Sequence, residues 1–245
     1  MKKKKWLLAA DHNACAESMA GELGLSRLTT RVLAARGFDT RQKAQAFMTH
    51  SLEGIHDPFL LKDMDKAVAE IRRAIENKEK IAVYGDYDVD GVTATCIMIQ
   101  YLKKMGADCT YYIPDRLEEG YGLNVAAIQS LYDDGCRLLI TVDSGITAEE
   151  EAVFAKELGL RLIITDHHEC KEKLPDAVAV VNPRRMDSEY PFRELAGVGV
   201  AFKVAQGLVQ KSLIPAGQEK WLLDLVLIGT ICDNMLLAGE NRILG

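Results

Sequence analysis

Three acidic clusters stand at the ends of short apolar runs. Tyr84-Gly85-Asp86-Tyr87-Asp88-Val89-Asp90-Gly91 continues Lys80-Ile81-Ala82-Val83. Thr141-Val142-Asp143-Ser144-Gly145 continues Leu138-Leu139-Ile140, and Thr165-Asp166-His167-His168 continues Leu162-Ile163-Ile164. Burying carboxylates costs free energy unless a cation or a donor compensates. Acids gathered at strand ends therefore point to a metal site. Residues two apart at a strand end splay to opposite sides of a pocket. Asp88 and Asp90 can thus reach two neighbouring ions, with Asp143 bridging them and His167 adding a nitrogen ligand. Oxygen-rich ligation with one or two imidazoles suits Mn²⁺ or Mg²⁺. Two such ions about 3.5–4 Å apart suit phosphate-ester hydrolysis, because they acidify a water and stabilise charge on phosphate oxygens. Gly91 and Gly145 allow close turns and close ligand approach. Asp86 reads as a residue that caps or holds the turn before the next helix, not as a ligand.

Such a site needs a sheet that brings the clusters together. From Lys80 onward short apolar strands alternate with helices. Strands are predicted over 80–84, 108–113, 137–142, 161–165 and 177–181. Helices are predicted over 91–105, 124–134, 147–158, 197–210 and 218–237, three of them stopped by Gly106, Gly135 and Gly159. This alternation predicts an α/β fold, a parallel sheet flanked by helices. In such sheets ligands bind at the carboxyl ends of strands. Residues 1–78 read as a helical N-terminal segment packed on that core. Apolar spacing there predicts helices over 26–36, 40–48 and 64–77, with Asp63 as N-cap of the last.

The chain has 245 residues, 48% hydrophobic and 27% charged, which are values of a globular protein. A net charge of −6 argues against a broad nucleic-acid-binding surface. After Lys2 to Lys5 only five apolar residues follow, short of the roughly 7–15 of a secretory leader. No run approaches the about 20 apolar residues of a membrane span. Six scattered cysteines without a CxxC are expected to be reduced, as in the cytoplasm.

Asp88-Val89-Asp90-Gly91, Asp143-Ser144-Gly145 and Asp166-His167-His168 resemble the signature of the DHH phosphoesterase superfamily, whose members are two-metal phosphoesterases. Further stretches resemble its branch of single-stranded-DNA-specific exonucleases. They are Ile113-Pro114-Asp115-Arg116, Glu119-Gly120-Tyr121-Gly122-Leu123, Val181-Asn182-Pro183 and Leu195-Ala196-Gly197-Val198-Gly199-Val200-Ala201-Phe202-Lys203. The likeness runs from about residue 6 to 245. It implies a DHH domain over 79–245 and a last ligand, Asp233, in Gly229-Thr230-Ile231-Cys232-Asp233. Asp88 and Asp143 would then hold one metal. Asp90, Asp143, His167 and Asp233 would hold the other. His168 would contact the scissile phosphate and Asp166 would orient the histidines. The implied activity is 5′-to-3′ hydrolysis of single-stranded DNA in repair and recombination. Its partners would be that DNA and other repair proteins, with no membrane.

Arg116 reads equally as a phosphate contact or a surface salt bridge. Tyr121 can stack on a base or pack under its loop. Gly197 and Gly199 open a helix whose amides can bind phosphate, or they serve close packing. Two departures from the family pattern stand out. Tyr84 occupies the position of a histidine in small members, and Asn234-Met235-Leu236-Leu237 follows Asp233 where Val-Val-Pro-Leu is usual. The DHH-associated and oligonucleotide-binding domains of the complete exonucleases do not fit in this chain, so a fragment with weak activity of its own is expected. The rival readings are a phosphodiesterase of short oligonucleotides or cyclic dinucleotides, and a catalytically dead DNA-binding scaffold.

Overall fold

Five short apolar runs become five parallel strands in the computed structural model, which describes residues 13–49, 51–120, 122–211 and 217–245. They are β1 (Lys80–Tyr84), β2 (Cys109–Tyr112), β3 (Cys136–Val142), β4 (Arg161–Thr165) and β5 (Ala179–Val181). Their order is β2-β1-β3-β4-β5, and every pairing is parallel. The chain leaves β1 toward one edge and then returns past it to β3. The β1/β3 boundary is therefore the switch point at which parallel α/β sheets open a crevice.

The chain divides into two compact units, Met1–Glu53 and Gly54–Gly245. In the first, α1 (Asn13–Leu23), α2 (Arg27–Ala35) and α3 (Arg41–Met48) surround Met19, Leu33, Ala34 and Ala44. Ser26 and Thr40 cap α2 and α3 by accepting from Thr29 N and Lys43 N. The sequence pattern did not predict α1. Its apolar residues are mostly alanine and methionine, which mark a helical face weakly.

The division falls at residue 53, whereas the sequence placed it at 78. The cause is α4 (Met64–Glu76), whose Met64, Val68 and Ile71 belong to the core of the second unit. Asp63 does not cap α4. It sits in the left-handed region at φ 61° without a cap hydrogen bond. Its carboxylate instead takes Arg185 Nη1 at 2.6 Å and Lys66 Nζ at 2.7 Å. Burial alone would raise the Asp63 pKa, but the Lys66 and Arg185 hydrogen bonds outweigh it and hold it below the ordinary value. A depressed carboxylate pKa stabilises the fold above the unfolded pKa, and that contribution is lost as pH falls through the lower folded value. Asp63→Asn is thus expected to cost about 2 kcal/mol near pH 7. Thermal melts of the two proteins should converge in acid, as the pH falls below the ordinary carboxylate range through the depressed Asp63 value. A difference that persists undiminished there would refute the ion pair as its source.

Sheet alternation sends side chains to two cores. Ile81, Val83, Leu138 and Ile140 face α4, α5 (Val89–Lys104), α8 (Gly197–Gln210) and α9 (Leu223–Cys232). Ala82, Tyr84, Leu139 and Ile164 face α6 (Val125–Asp133) and α7 (Glu149–Leu158). A short α10 (Gly239–Leu244) closes the described chain. The helix predicted over 218–237 is broken. A 3-10 turn covers Gln218–Leu222, and α9 stops at Cys232. Asn234 ends it in the left-handed region at φ 57°, with Met235 N donating to Thr230 O and Asn234 N to Ile231 O. That is the hydrogen-bond pair of a Schellman end. No helix among the described residues is long and apolar enough to cross a membrane.

Candidate metal centre

The strand register assembles the site before any side chain is considered. Tyr84 pairs with Thr141, Thr141 with Ile164, and Ile164 with Val180. Two residues beyond this row stand Asp86, Asp143, Asp166 and Asn182. Parallel strands lie about 4.8 Å apart, so four polar side chains are delivered to one edge at nearly even spacing.

Asp88 caps α5, its Oδ1 accepting from Gly91 N at 2.9 Å, and remains exposed. Asp90, in the first turn of α5, is buried. Its Oδ2 accepts from Gly197 N at 2.7 Å and its Oδ1 from Val198 N at 2.8 Å. The N-terminus of α8 therefore clamps Asp90 with two amides and a favourable dipole. Even so, burial foremost lifts the Asp90 pKa to about 6. Asp143 lies at the end of β3 in the left-handed region, φ 57°, and is 1% exposed. Burial first, then the charges of Asp90 and Asp166, push its pKa up to about 10. Asp86 is buried, accepts from Tyr87 N at 2.6 Å, and is raised mainly by burial. A Cβ on Gly91 would stand 2.6 Å from Asp86 N and O, so only glycine lets the Asp86 turn lie on α5.

His167 lies among these acids. Its Nε2 is 3.1 Å from Asp143 Oδ1, 3.6 Å from Asp233 Oδ2 and 3.8 Å from Asp90 Oδ2. None of these is a hydrogen bond, for Asp143 Oδ1 and both His167 ring nitrogens lack a partner among the described residues although buried. Buried polar atoms are ordinarily satisfied. Three carboxylates converging on one unsatisfied imidazole nitrogen form a donor set that a cation would complete. Three groups, Asp90-His167-Asp233, Asp143-His167-His168 and Asp86-Asp88-Asp143, each hold donor atoms within 4.8 Å of one another. The residues fit hard divalent ions such as Mn²⁺ or Mg²⁺. Asp233, at the C-cap of α9, is only partly buried.

Asp166 is the hub of the loop. Its Oδ1 accepts from His167 N at 2.7 Å and His168 N at 3.1 Å, and its Oδ2 from Ile146 N at 2.9 Å. His168 Nδ1 lies 2.7 Å from Oδ1. Burial would raise the Asp166 pKa, yet the His168 hydrogen bond and charge hold it below the usual carboxylate value. The same bond lifts His168 to about 9, so its ring is cationic at neutral pH.

Among the described residues Arg116 forms no ion pair. Its guanidinium carbon stands 5.3 Å from the Tyr87 ring centre. Tyr121 lies outside the described residues, as do Lys2 to Lys5. The Gly197 and Val198 amides at the start of α8 are not free for phosphate, since both donate to Asp90. Gly197 is needed because a Cβ there would be 2.3 Å from Asp143 Oδ1. At Gly199 the nearest contact would be Leu195 at 3.3 Å, a packing role. Gly145, φ 105°, makes the turn after Asp143.

Two further residues carry the site and were not assigned roles from sequence. A Cβ on Gly229 would be 2.5 Å from Thr93 Oγ1 and 2.9 Å from Asp90 Oδ1, so glycine at this position lets α9 lie close against α5. Asn182 is fully buried and donates to His168 O at 3.0 Å while accepting from Arg184 N at 2.7 Å. The row beyond the register identifies Asn182, but register is not visible in a single sequence.

Sheet and donors together define the class: a doubly wound α/β protein whose switch-point crevice can hold divalent cations between carboxylates and imidazoles. A family model described as the DHH family, N-terminal domain, matches residues 80–230. The chain belongs to the DHH family. A Bacillus subtilis relative described as single-stranded-DNA-specific exonuclease RecJ is 46% identical over 242 residues, covering 99% of this chain and 30% of its own length. RecJ of Salmonella typhimurium is 34% identical over 255 residues, covering 100% and 43%. A crystal structure of exonuclease RecJ bound to manganese superposes with a TM-score of 0.69 at 36% identity, over 75% of this chain and 46% of that one. RecJ of Thermus thermophilus in complex with Mn²⁺ gives 0.78 at 28% identity, over 97% and 33%. The chain thus spans less than half the length of these relatives.

Proposed function

We propose that this chain is the catalytic core of a metal-dependent exonuclease that hydrolyses single-stranded DNA from the 5′ end. The observation that carries the reading is His167 Nε2, buried and unsatisfied among Asp90, Asp143 and Asp233. The relatives named for this activity, and the two manganese-bound structures, support it. Asp90, Asp143, His167 and Asp233 would hold one cation, and Asp88 with Asp143 a second. When bound, such cations supply an acidified water and positive charge at the phosphate. The protein's own part is orientation. The α8 amides fix both oxygens of Asp90, and the Asp166 hub fixes the histidine loop. His168, cationic through Asp166, offers charge to phosphate oxygens as negative charge grows on them. Arg116 offers a guanidinium beside the same crevice. We place this work in the cytoplasm, in repair and recombination alongside other repair proteins; no disulfide forms among the described residues, as that compartment permits.

The test is hydrolysis of a 5′-labelled single strand with Mn²⁺ or Mg²⁺, with a chelator control. Stepwise mononucleotide release that stops with the chelator is expected. Turnover of a dinucleotide far above that of a long strand would instead favour a short-oligonucleotide phosphodiesterase.

A further inference from the structure

Arg116 sits inside a closed turn, and the closure is unusually well tied. Glu119 N donates to Asp115 O at 2.9 Å. The Glu119 carboxylate accepts from Asp115 N at 2.8 Å through Oε1. Its Oε2 accepts from Tyr112 OH at 2.5 Å and Asn124 Nδ2 at 2.9 Å. Behind it, Tyr84 OH donates to Gly122 O at 2.9 Å and receives Asn124 Nδ2 at 3.3 Å. The Tyr84 and Tyr112 rings stack at 5.2 Å. Asn124 also caps α6. Tyr84 is wholly buried at the end of β1, so a core strand, not a surface loop, anchors the far side of the turn.

A long exposed side chain loses much rotamer freedom on binding. Fixing its backbone removes part of that cost. Resting on the reading that phosphodiesters bind at the carboxylate–histidine centre, we propose that Glu119, backed by Tyr84 and Asn124, is a positioning residue. It sets Arg116 against Tyr87, between the acids of the β1 loop, where the guanidinium meets a phosphate of the strand. Tyr84, at a position where small family members carry histidine, serves the substrate loop.

The readout is the Kd of a phosphorothioate single strand that resists hydrolysis, by fluorescence anisotropy of the full chain in Mn²⁺. Glu119→Gln places an N–H against the donors of Asp115 or Asn124. It is expected to weaken binding about 10-fold, the scale of a hydrogen bond to a charged group. Tyr84→Phe should act in the same direction and more weakly. Arg116→Ala should weaken binding at least as much as Glu119→Gln, and the double variant should bind no worse than Arg116→Ala alone. Glu119 is exposed, so its melting temperature should stay within about 2 °C of wild type. An unchanged Kd for Glu119→Gln overturns the proposal. So does a loss that adds in full to that of Arg116→Ala, because the glutamate would then act elsewhere. A wild-type chain that binds the strand with this pattern but never cleaves it counts against the exonuclease reading and for the lock.

Discussion

Asp143→Asn is expected to make the metal-free chain more stable while removing the metal-dependent hydrolysis proposed for it. Asp143 is nearly wholly buried, its Oδ1 has no hydrogen-bond partner among the described residues, and burial with two neighbouring acids drives its pKa to about 10. Without a cation this carboxyl is a cost to the fold near neutral pH. Asparagine keeps the shape and tolerates the left-handed backbone at φ 57°. The gain should be about 1–3 kcal/mol, or several degrees in a chelator-containing melt. Added Mn²⁺ should raise the wild-type melting temperature through mass action and the variant's much less. Hydrolysis should fall at least about 1,000-fold, the several kcal/mol that cation stabilisation supplies. A variant that melts below wild type in chelator would show that Asp143 is satisfied by the protein alone.

The second large effect lies away from the crevice. Lys203 and Glu240 are both fully buried and meet at 2.6 Å. Lys203 Nζ also donates to His56 O at 2.8 Å. Glu240 accepts from His56 N at 2.9 Å and Tyr190 OH at 2.5 Å. Burial holds the Lys203 pKa below its ordinary value, with Glu240 opposing. Glu240→Leu strands an ammonium, a tyrosine hydroxyl and an amide together. It should cost about 3–5 kcal/mol by denaturant titration. Lys203→Met combined with Glu240→Leu should recover about half of that, because the uncompensated charge is gone while Tyr190 and His56 stay unpaired. A double variant no better than Glu240→Leu would mean that packing at position 240, not the charge, sets the loss. Since α8 carries both Lys203 and the amides that clamp Asp90, this pair anchors the helix on which the metal centre leans.

These cases also show what a linear sequence can disclose. The strands and the acidic clusters at their ends were legible because short apolar runs and period-three-to-four helical patterns are local. Lys203 belonged to a recognised stretch, but its buried state depends on Glu240, thirty-seven residues later in a helix that was not predicted. The end of α9 was missed because Leu236 and Leu237 prolong the apolar pattern, while one left-handed Asn234 overrules it. Asp63 looked like a cap by position, yet Arg185 and Lys66 claim its carboxylate. In each case the deciding partner is distant or the deciding variable is a backbone angle.

The row formed by Asp86, Asp143, Asp166 and Asn182 has a consequence for assembly. A one-residue slip of β4 against β3 would exchange Asp166 for His167 in that row and turn the remaining side chains to the opposite face. The same amino acids would then be present with no centre among them. Tight cation binding at the proposed centre would therefore report strand alignment, because it needs β1, β3 and β4 paired in this register. In refolding, the rise of Mn²⁺ affinity should trail the appearance of sheet structure and mark the moment at which the chain has found its own frame.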